Sequence, residues 1–236
     1  MTVLLGIATR IRLARLLLIT GLLDGGDELA GFVGDTLDGG VDIVQLRDPR
    51  ADDEALAAGF LRVRDAVLKR KALAGLYDAL EVAGRVQADL LQLSERGPAA
   101  ATARRHVHTW AQIGRSCHSR RQVDAALRDP DVNFLSVGPV VATGPLPVGG
   151  LDLVSYAARQ APPSDPSSKP WFAVGGIGLD TLPEVLAAGA RRVAVSRAIT
   201  GAEDPAAAAA ALKDLLIQAW KDDPGMQSLT LGSRGR

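Results

Sequence analysis

The chain has 236 residues, 47% hydrophobic and 23% charged, and its 27 basic side chains balance 27 acidic ones at a formal net charge of zero. That length suits one barrel of roughly 250 residues or two smaller domains, and the neutral balance argues against nucleic acid as the main partner. One cysteine, Cys117, excludes an internal disulfide and a cysteine-rich metal site, and fits a reducing, cytoplasmic setting.

Residues 1–14 read as an N-terminal arm, either an ordered cap or a loose segment. The apolar run Leu16 to Leu23 is broken by Thr20 and Gly21 and followed by Asp24 and Asp27. It falls well short of the ~20 residues of a membrane span, so it reads as a buried strand and no membrane association is expected. From there, short aliphatic or β-branched runs alternate with longer Ala/Leu/charged stretches. The predicted strands are Ala14–Thr20, Asp42–Arg47, Leu73–Tyr77, Asp89–Leu93, Gln112–Ser116, Phe134–Val137, Trp171–Val174 and Arg192–Val195. The predicted helices are Asp27–Asp38, Asp52–Arg70, Asp78–Val86, Ala99–Arg105, Arg120–Leu127, Leu151–Gln160, Thr181–Ala188 and Pro205–Trp220. Strand-helix alternation predicts a parallel sheet with crossover helices. Eight units predict an α/β fold closed as a single (β/α)8 TIM barrel over residues 15–220, with residues 221–236 expected to be a disordered tail.

Glycines just before the strands at Asp42 and Arg192 (Gly39-Gly40, Gly189) mark helix ends. No Gly-x-Gly-x-x-Gly follows the first strand, which weighs against a dinucleotide site.

Chemistry in such a barrel sits where strands end and loops begin. Side chains alternate along a strand, so Gln45 shares a face with Arg47, Gln92 with Ser94, and Gly114 with Ser116 and His118. Cys117 then points towards the helices. After the seventh strand comes Gly175-Gly176-Ile177-Gly178, and after the eighth Ser196-Arg197. Glycine N–H groups beside a helix start at these two positions predict phosphate binding. His106 and His108, beside Trp110, are expected on the surface without partners.

The stretches Gly39–Asp48 (GGVDIVQLRD), Ile113–Ser119 (IGRSCHS), Val137–Pro139 (VGP), Trp171–Ile177 (WFAVGGI) and Ala188–Thr200 (AGARRVAVSRAIT), with Asp204-Pro205, resemble the thiamine phosphate synthase and thiazole tautomerase family. The similarity runs in order from about Arg15 to Trp220. It implies a (β/α)8 barrel that joins a hydroxymethylpyrimidine diphosphate to a thiazole phosphate and releases diphosphate with magnesium, Mg2+. In the tautomerase branch it implies thiazole phosphate binding without coupling. Carried onto this chain, the resemblance makes Gln45, Arg47, Ser116, Thr143, Gly175, Gly176, Ser196 and Arg197 substrate-binding candidates and Asp78 a metal ligand. Arg47, Ser116 and His118 become catalytic candidates, His118 as the acid/base of a tautomerase. Assembly into a homo-oligomer is a further expectation.

The departures concentrate at the diphosphate end. Pro49 and Leu146 stand where the family has lysines, Tyr77 where it has asparagine, Ala79 where it has arginine and Gly97 where it has the second metal carboxylate. Magnesium on a diphosphate is usually held by one or two carboxylates plus the phosphates, so Asp78 is left nearly alone unless Glu95 or Glu81 reaches in, and Arg50 is the one nearby cation to replace Lys. Three functions follow: a synthase with weakened coupling, a thiazole tautomerase-like isomerase, or a non-catalytic binder of a thiazole or thiamine phosphate.

Overall fold

A computed structural model describes residues 6–23, 26–141 and 149–231. The apolar segments become eight parallel strands: β1 Leu16–Thr20, β2 Ile43–Leu46, β3 Leu73–Tyr77, β4 Leu90–Leu93, β5 Gln112–Cys117, β6 Phe134–Val137, β7 Trp171–Val174 and β8 Val193–Val195. Each pairs with its sequence neighbours, and β8 closes on β1 through Leu16–Val193 and Leu18–Val195. The expected single (β/α)8 barrel is the architecture found. Around it run α2 (Gly26–Asp38), α3 (Asp53–Lys69), α4 (Leu80–Arg85), α5 (Ala100–Arg104), α6 (Arg120–Arg128), α7 (Gly150–Gln160), α8 (Leu182–Ala187) and α10 (Pro205–Lys221). Side-chain caps start several of them: Asp52 accepts from Ala55 N–H, Ser119 from Gln122 N–H, and Asp204 from Ala207 N–H just ahead of Pro205.

The alternation of each strand makes two cores. One face, with Leu18, Val44, Leu46, Leu76, Leu91, Ile113, Cys117 and Val195, packs outward against the helices. The other fills the barrel, where Leu17, Ile43, Leu73, Leu90, Phe134, Phe172 and Ala194 form the lower layer. Phe134 and Phe172 meet edge-on with centroids 6.3 Å apart, a favoured aromatic geometry. On four strands, moving up by two residues turns these inward positions polar: Ile43 gives way to Gln45, Leu90 to Gln92, Phe134 to Ser136, Ala194 to Ser196. The barrel is thus dry at one end and polar at the other.

Three short elements were not foreseen as helices. Helix α1 (Ile7–Leu13) turns the N-terminal arm into a lid on the dry end, with Ile11 buried in the inner core. Arg10 of α1 donates to the carbonyls of Lys71 and Ala72, and Arg12 to that of Ser168, which ties the lid to two loops. Helix α9 (Arg197–Thr200) opens at the other end. The expectation of a disordered tail over 221–236 is corrected over Pro224–Leu231, which forms α11 with Met226 buried; this low-periodicity segment folds beside the preceding helix α10. No helix among the described residues is long and apolar enough to cross a membrane.

Candidate functional site

The polar end opens into a cleft of about 610 Å³ lined by Gln45, Arg47, Ser116, His118, Gly175, Gly176, Ser196 and Arg197, together with Thr20, Tyr77, Gln92, Ser136 and Asp180. The expected residues from β2, β5, β7 and β8 therefore share one rim. Thr143 and Leu146 lie outside the described residues.

The floor is a hydrogen-bonded layer. Gln92 Nε2 donates to Ser116 Oγ at 3.0 Å, and Ser136 Oγ donates to Gln92 Oε1 at 3.3 Å. All three side chains are buried, and leaving such groups unpaired would cost ~1–3 kcal/mol each. Gly114 makes room for this layer: a Cβ there would collide with Gln92 Oε1 and the Phe134 ring. Ser116 accepts from Gln92, so its own hydroxyl proton is left to donate to Tyr77 or to a ligand. Gln45 is also buried and lines the cleft. Ser136 went unremarked in the sequence, although its spacing from Phe134 carries the same parity signal as Gln45 and Ser116.

The opposite wall is built for an anion. Gly175 and Gly176 adopt φ of 99° and 68°, a conformation that side-chain-bearing residues seldom take. The turn follows β7 and Ser196-Arg197, where α9 begins, follow the neighbouring β8, so backbone N–H groups, a guanidinium and a hydroxyl line one wall of the cleft. Thr181 Oγ1 accepts from Gly178 N–H at 2.9 Å and holds the turn. Asp180 sits on the same wall, and no sequence signal singled it out.

At the third wall Arg47 lies over the Tyr77 ring, guanidinium carbon to centroid 4.3 Å. Burial pushes the Tyr77 phenol up from its usual value, partly offset by its bond with Ser116 and the charge of Arg47. Beside it, His118 is fixed at three points. Its N–H donates to Gln122 Oε1 at 2.7 Å, its Nδ1 lies 2.5 Å from the Gly138 carbonyl, and its Nε2 lies 3.0 Å from Glu95 Oε2. A carbonyl can only accept, so Nδ1 carries a proton and Nε2 is the atom whose proton is negotiable.

Several expected members are placed elsewhere. Asp78 does not line the cleft; its Oδ1 accepts Ser94 N–H at 2.7 Å, and it caps no helix, since the N-cap of α4 is Ala79. Ser94, expected beside Gln92, has left the strand and bonds through its backbone instead. Arg50 points to solvent and pairs with Asp48, whose carboxylate also accepts Leu22 N–H. Glu81 pairs with His106 at 3.3 Å, away from the rim. His108 is not a free surface residue: it is half-buried and bonds the Ala88 carbonyl at 2.9 Å. For magnesium, Asp78 lies off the cleft with one oxygen already engaged, Glu95 is tied to His118, Asp180 stands apart on the glycine-turn wall, and Gly97 supplies no carboxylate. Among the described residues no group of three or more His, Cys, Asp or Glu side chains is placed to hold a metal ion. The residues present do not fit a two-carboxylate magnesium site.

Cys117 is buried on the helix side of β5, as parity predicted, and burial pushes its thiol up to about 12.

Comparison with known proteins agrees with the fold. The family model for thiamine monophosphate synthase matches residues 16–199. The thiamine-phosphate synthase of Saccharopolyspora erythraea is 42% identical over 219 residues, covering 89% of this chain and 96% of that one. That of Thermobifida fusca is 43% identical over 213 residues, covering 89% and 95%. Among solved structures, thiamine phosphate pyrophosphorylase from Pyrococcus furiosus superimposes with a TM-score of 0.76 at 25% identity, covering 89% of this chain and 98% of that one.

Proposed function

Because the chain belongs to the thiamine monophosphate synthase family, we propose that it binds a phosphorylated thiazole, with phosphate on the Gly175-Gly176 turn and the ring over the Gln92–Ser116–Ser136 floor. The observation that carries this reading is the convergence of two left-handed glycines with Ser196 and Arg197 in one cleft. Preformed backbone donors favour a dianion whatever the rest of the site does. The floor offers both donors and acceptors to a small heterocycle. Calorimetric titration with thiazole phosphate tests it: saturable binding is expected, and none would sink it.

Coupling to hydroxymethylpyrimidine diphosphate is proposed to be slow. Arg47 is stacked on Tyr77, Asp78 holds a loop, and Gly97 and Pro49 supply no charge. A leaving diphosphate needs donors where its charge develops, and removing one such donor costs ~3 kcal/mol. Steady-state thiamine phosphate formation with magnesium should fall more than tenfold below an ordinary turnover of ~10 per second. A cytoplasmic setting remains part of this proposal, in keeping with a single, buried cysteine.

A second reading is favoured by one observation, the fixed orientation of His118 at the cleft wall. It is a tautomerase-like isomerase that shifts a proton on the thiazole phosphate through His118 Nε2.

A further inference from the structure

The loop after β4 is held from two sides. Asp78, in a left-handed backbone conformation at φ 53°, accepts Ser94 N–H at 2.7 Å. Arg115 donates to the Ser94 carbonyl at 2.7 Å and to the Pro98 carbonyl at 2.5 Å. Such anchoring is costly for a rim loop: the left-handed region is uncommon for a side-chain-bearing residue, and Arg115 gives up rotamer freedom. The loop adds no apolar residue to the core, since residues 94–99 are half-buried or exposed. What it presents is Glu95, whose carboxylate faces His118 Nε2 with the two side chains only 19% and 14% exposed.

We propose that Glu95 is a positioning residue for His118, and that the Asp78–Arg115 anchorage of the loop exists to keep its carboxylate on Nε2. The His118 ring is then clamped between two acceptors, Gly138 O on one nitrogen and Glu95 on the other, and cannot rotate without losing both bonds. Only the Nε2 proton is transferable, and Glu95 Oε2 is its resting partner until a ligand atom in the cleft competes for it. The inference deepens the second reading above and rests on it for its chemistry. Nε2 gives its proton to one position of the phosphorylated heterocycle, where a ring π pair forms the new bond. The vacated nitrogen then takes a proton from another position, whose bonding pair restores the π system, so protons and electrons balance without an oxidant or reductant. Asp78, which the resemblance made a metal ligand, becomes part of the frame that builds the acid/base pair.

The test uses the full chain. With histidine labelled by nitrogen-15, the His118 Nε2 proton should give a hydrogen-bonded, slowly exchanging resonance. It should be lost in Glu95→Gln, because the carboxamide can donate to Nε2 and the Gly138 carbonyl already holds the proton on Nδ1. It should also be lost or broadened in Asp78→Ala, where Glu95 is intact but its loop is loose, and regained in part in Glu95→Asp. Near-isosteric Glu95→Gln is expected to fold, which a melting curve checks. If the unmodified chain lacks the resonance, or if Glu95→Gln keeps it, the pairing is wrong. If Glu95→Gln loses it but Asp78→Ala keeps it intact, the anchorage claim is overturned. In the activity arm, solvent deuterium enters thiazole phosphate, and Glu95→Gln should lower kcat about 100-fold with KM little changed, the lower end of an acid–base contribution. Absence of deuterium uptake by the unmodified chain overturns the isomerase reading, whereas the resonance pattern judges the Glu95–His118 pairing separately.

Discussion

The guanidinium carbon of Arg47 lies 4.3 Å from the centroid of the Tyr77 ring, and this contact turns a rim cation into part of a wall. A partly exposed cation–π contact is worth ~0.5–1 kcal/mol. Tyr77→Asn releases Arg47 into the cleft, so affinity for inorganic diphosphate should rise about two- to fivefold, the equivalent of that energy. Calorimetry on both proteins decides it; unchanged or weaker binding would mean that Arg47 is already available despite the stack.

The phosphate wall makes a second prediction. Arg197 is exposed and supports no core residue, so Arg197→Ala should leave melting unchanged while weakening thiazole phosphate about tenfold, near the lower end for a charged hydrogen bond of ~1.5–3 kcal/mol. Gly176→Val should weaken binding as well and also lower stability, because φ at 68° strains a side-chain-bearing residue by ~1–2 kcal/mol. Equal affinity in a folded Arg197→Ala variant would place the phosphate elsewhere.

At Gly97 a Cβ would come within 3.0 Å of Asp78 Oδ1 and 3.3 Å of the Ser94 carbonyl. Gly97→Asp therefore brings a second carboxylate beside the first. Two like charges ~4 Å apart in water repel by ~1 kcal/mol, which lowers Tm by about 2–4 °C in a chain of this size. Millimolar magnesium should restore that loss in the variant, by binding the folded state alone, and should leave the unmodified chain's Tm alone. Equal responses of the two proteins to magnesium would contradict the mismatch described at the rim.

Cys117 provides a prediction in pH. Its thiol is pushed from 9.0 up to about 12 by burial, so folding favours the protonated form. This contribution is fully present below the unfolded value near 9 and is lost as pH rises through the folded value near 12. In that window Cys117→Ala should lose less stability than the unmodified chain in urea titrations. Native Cys117 should resist iodoacetamide at neutral pH and react once unfolded, because the thiolate is the nucleophile. Rapid native labelling would show that the thiol is not where the barrel wall holds it.

The eight strands were legible from the sequence, most to within two residues, because each pairs an apolar run with flanking helical spacing, and a buried parallel strand needs little else. The rim residues Gln45, Ser116, Gly176 and Ser196 were legible too, since a period of two fixes the face of every side chain once the strand is known. The three short helices were not. Ile7–Leu13 and Pro224–Leu231 are helical through surfaces outside themselves, the inner core at the barrel end for the first and the preceding helix α10 for the second.

Partnership across loops is what only the tertiary structure decided. Asp78 has the chemistry of a metal ligand or a helix cap, and its sequence neighbourhood allows either; instead it accepts the N–H of Ser94, sixteen residues on. Glu95 was one of two carboxylates that could have reached the rim, and it meets His118 from 23 residues away, while Glu81 turns to His106. Alternation along a strand is local and survives in the sequence. The direction of a loop side chain is not local: it depends on which distant backbone groups are left to satisfy, and those are known only once the barrel has closed.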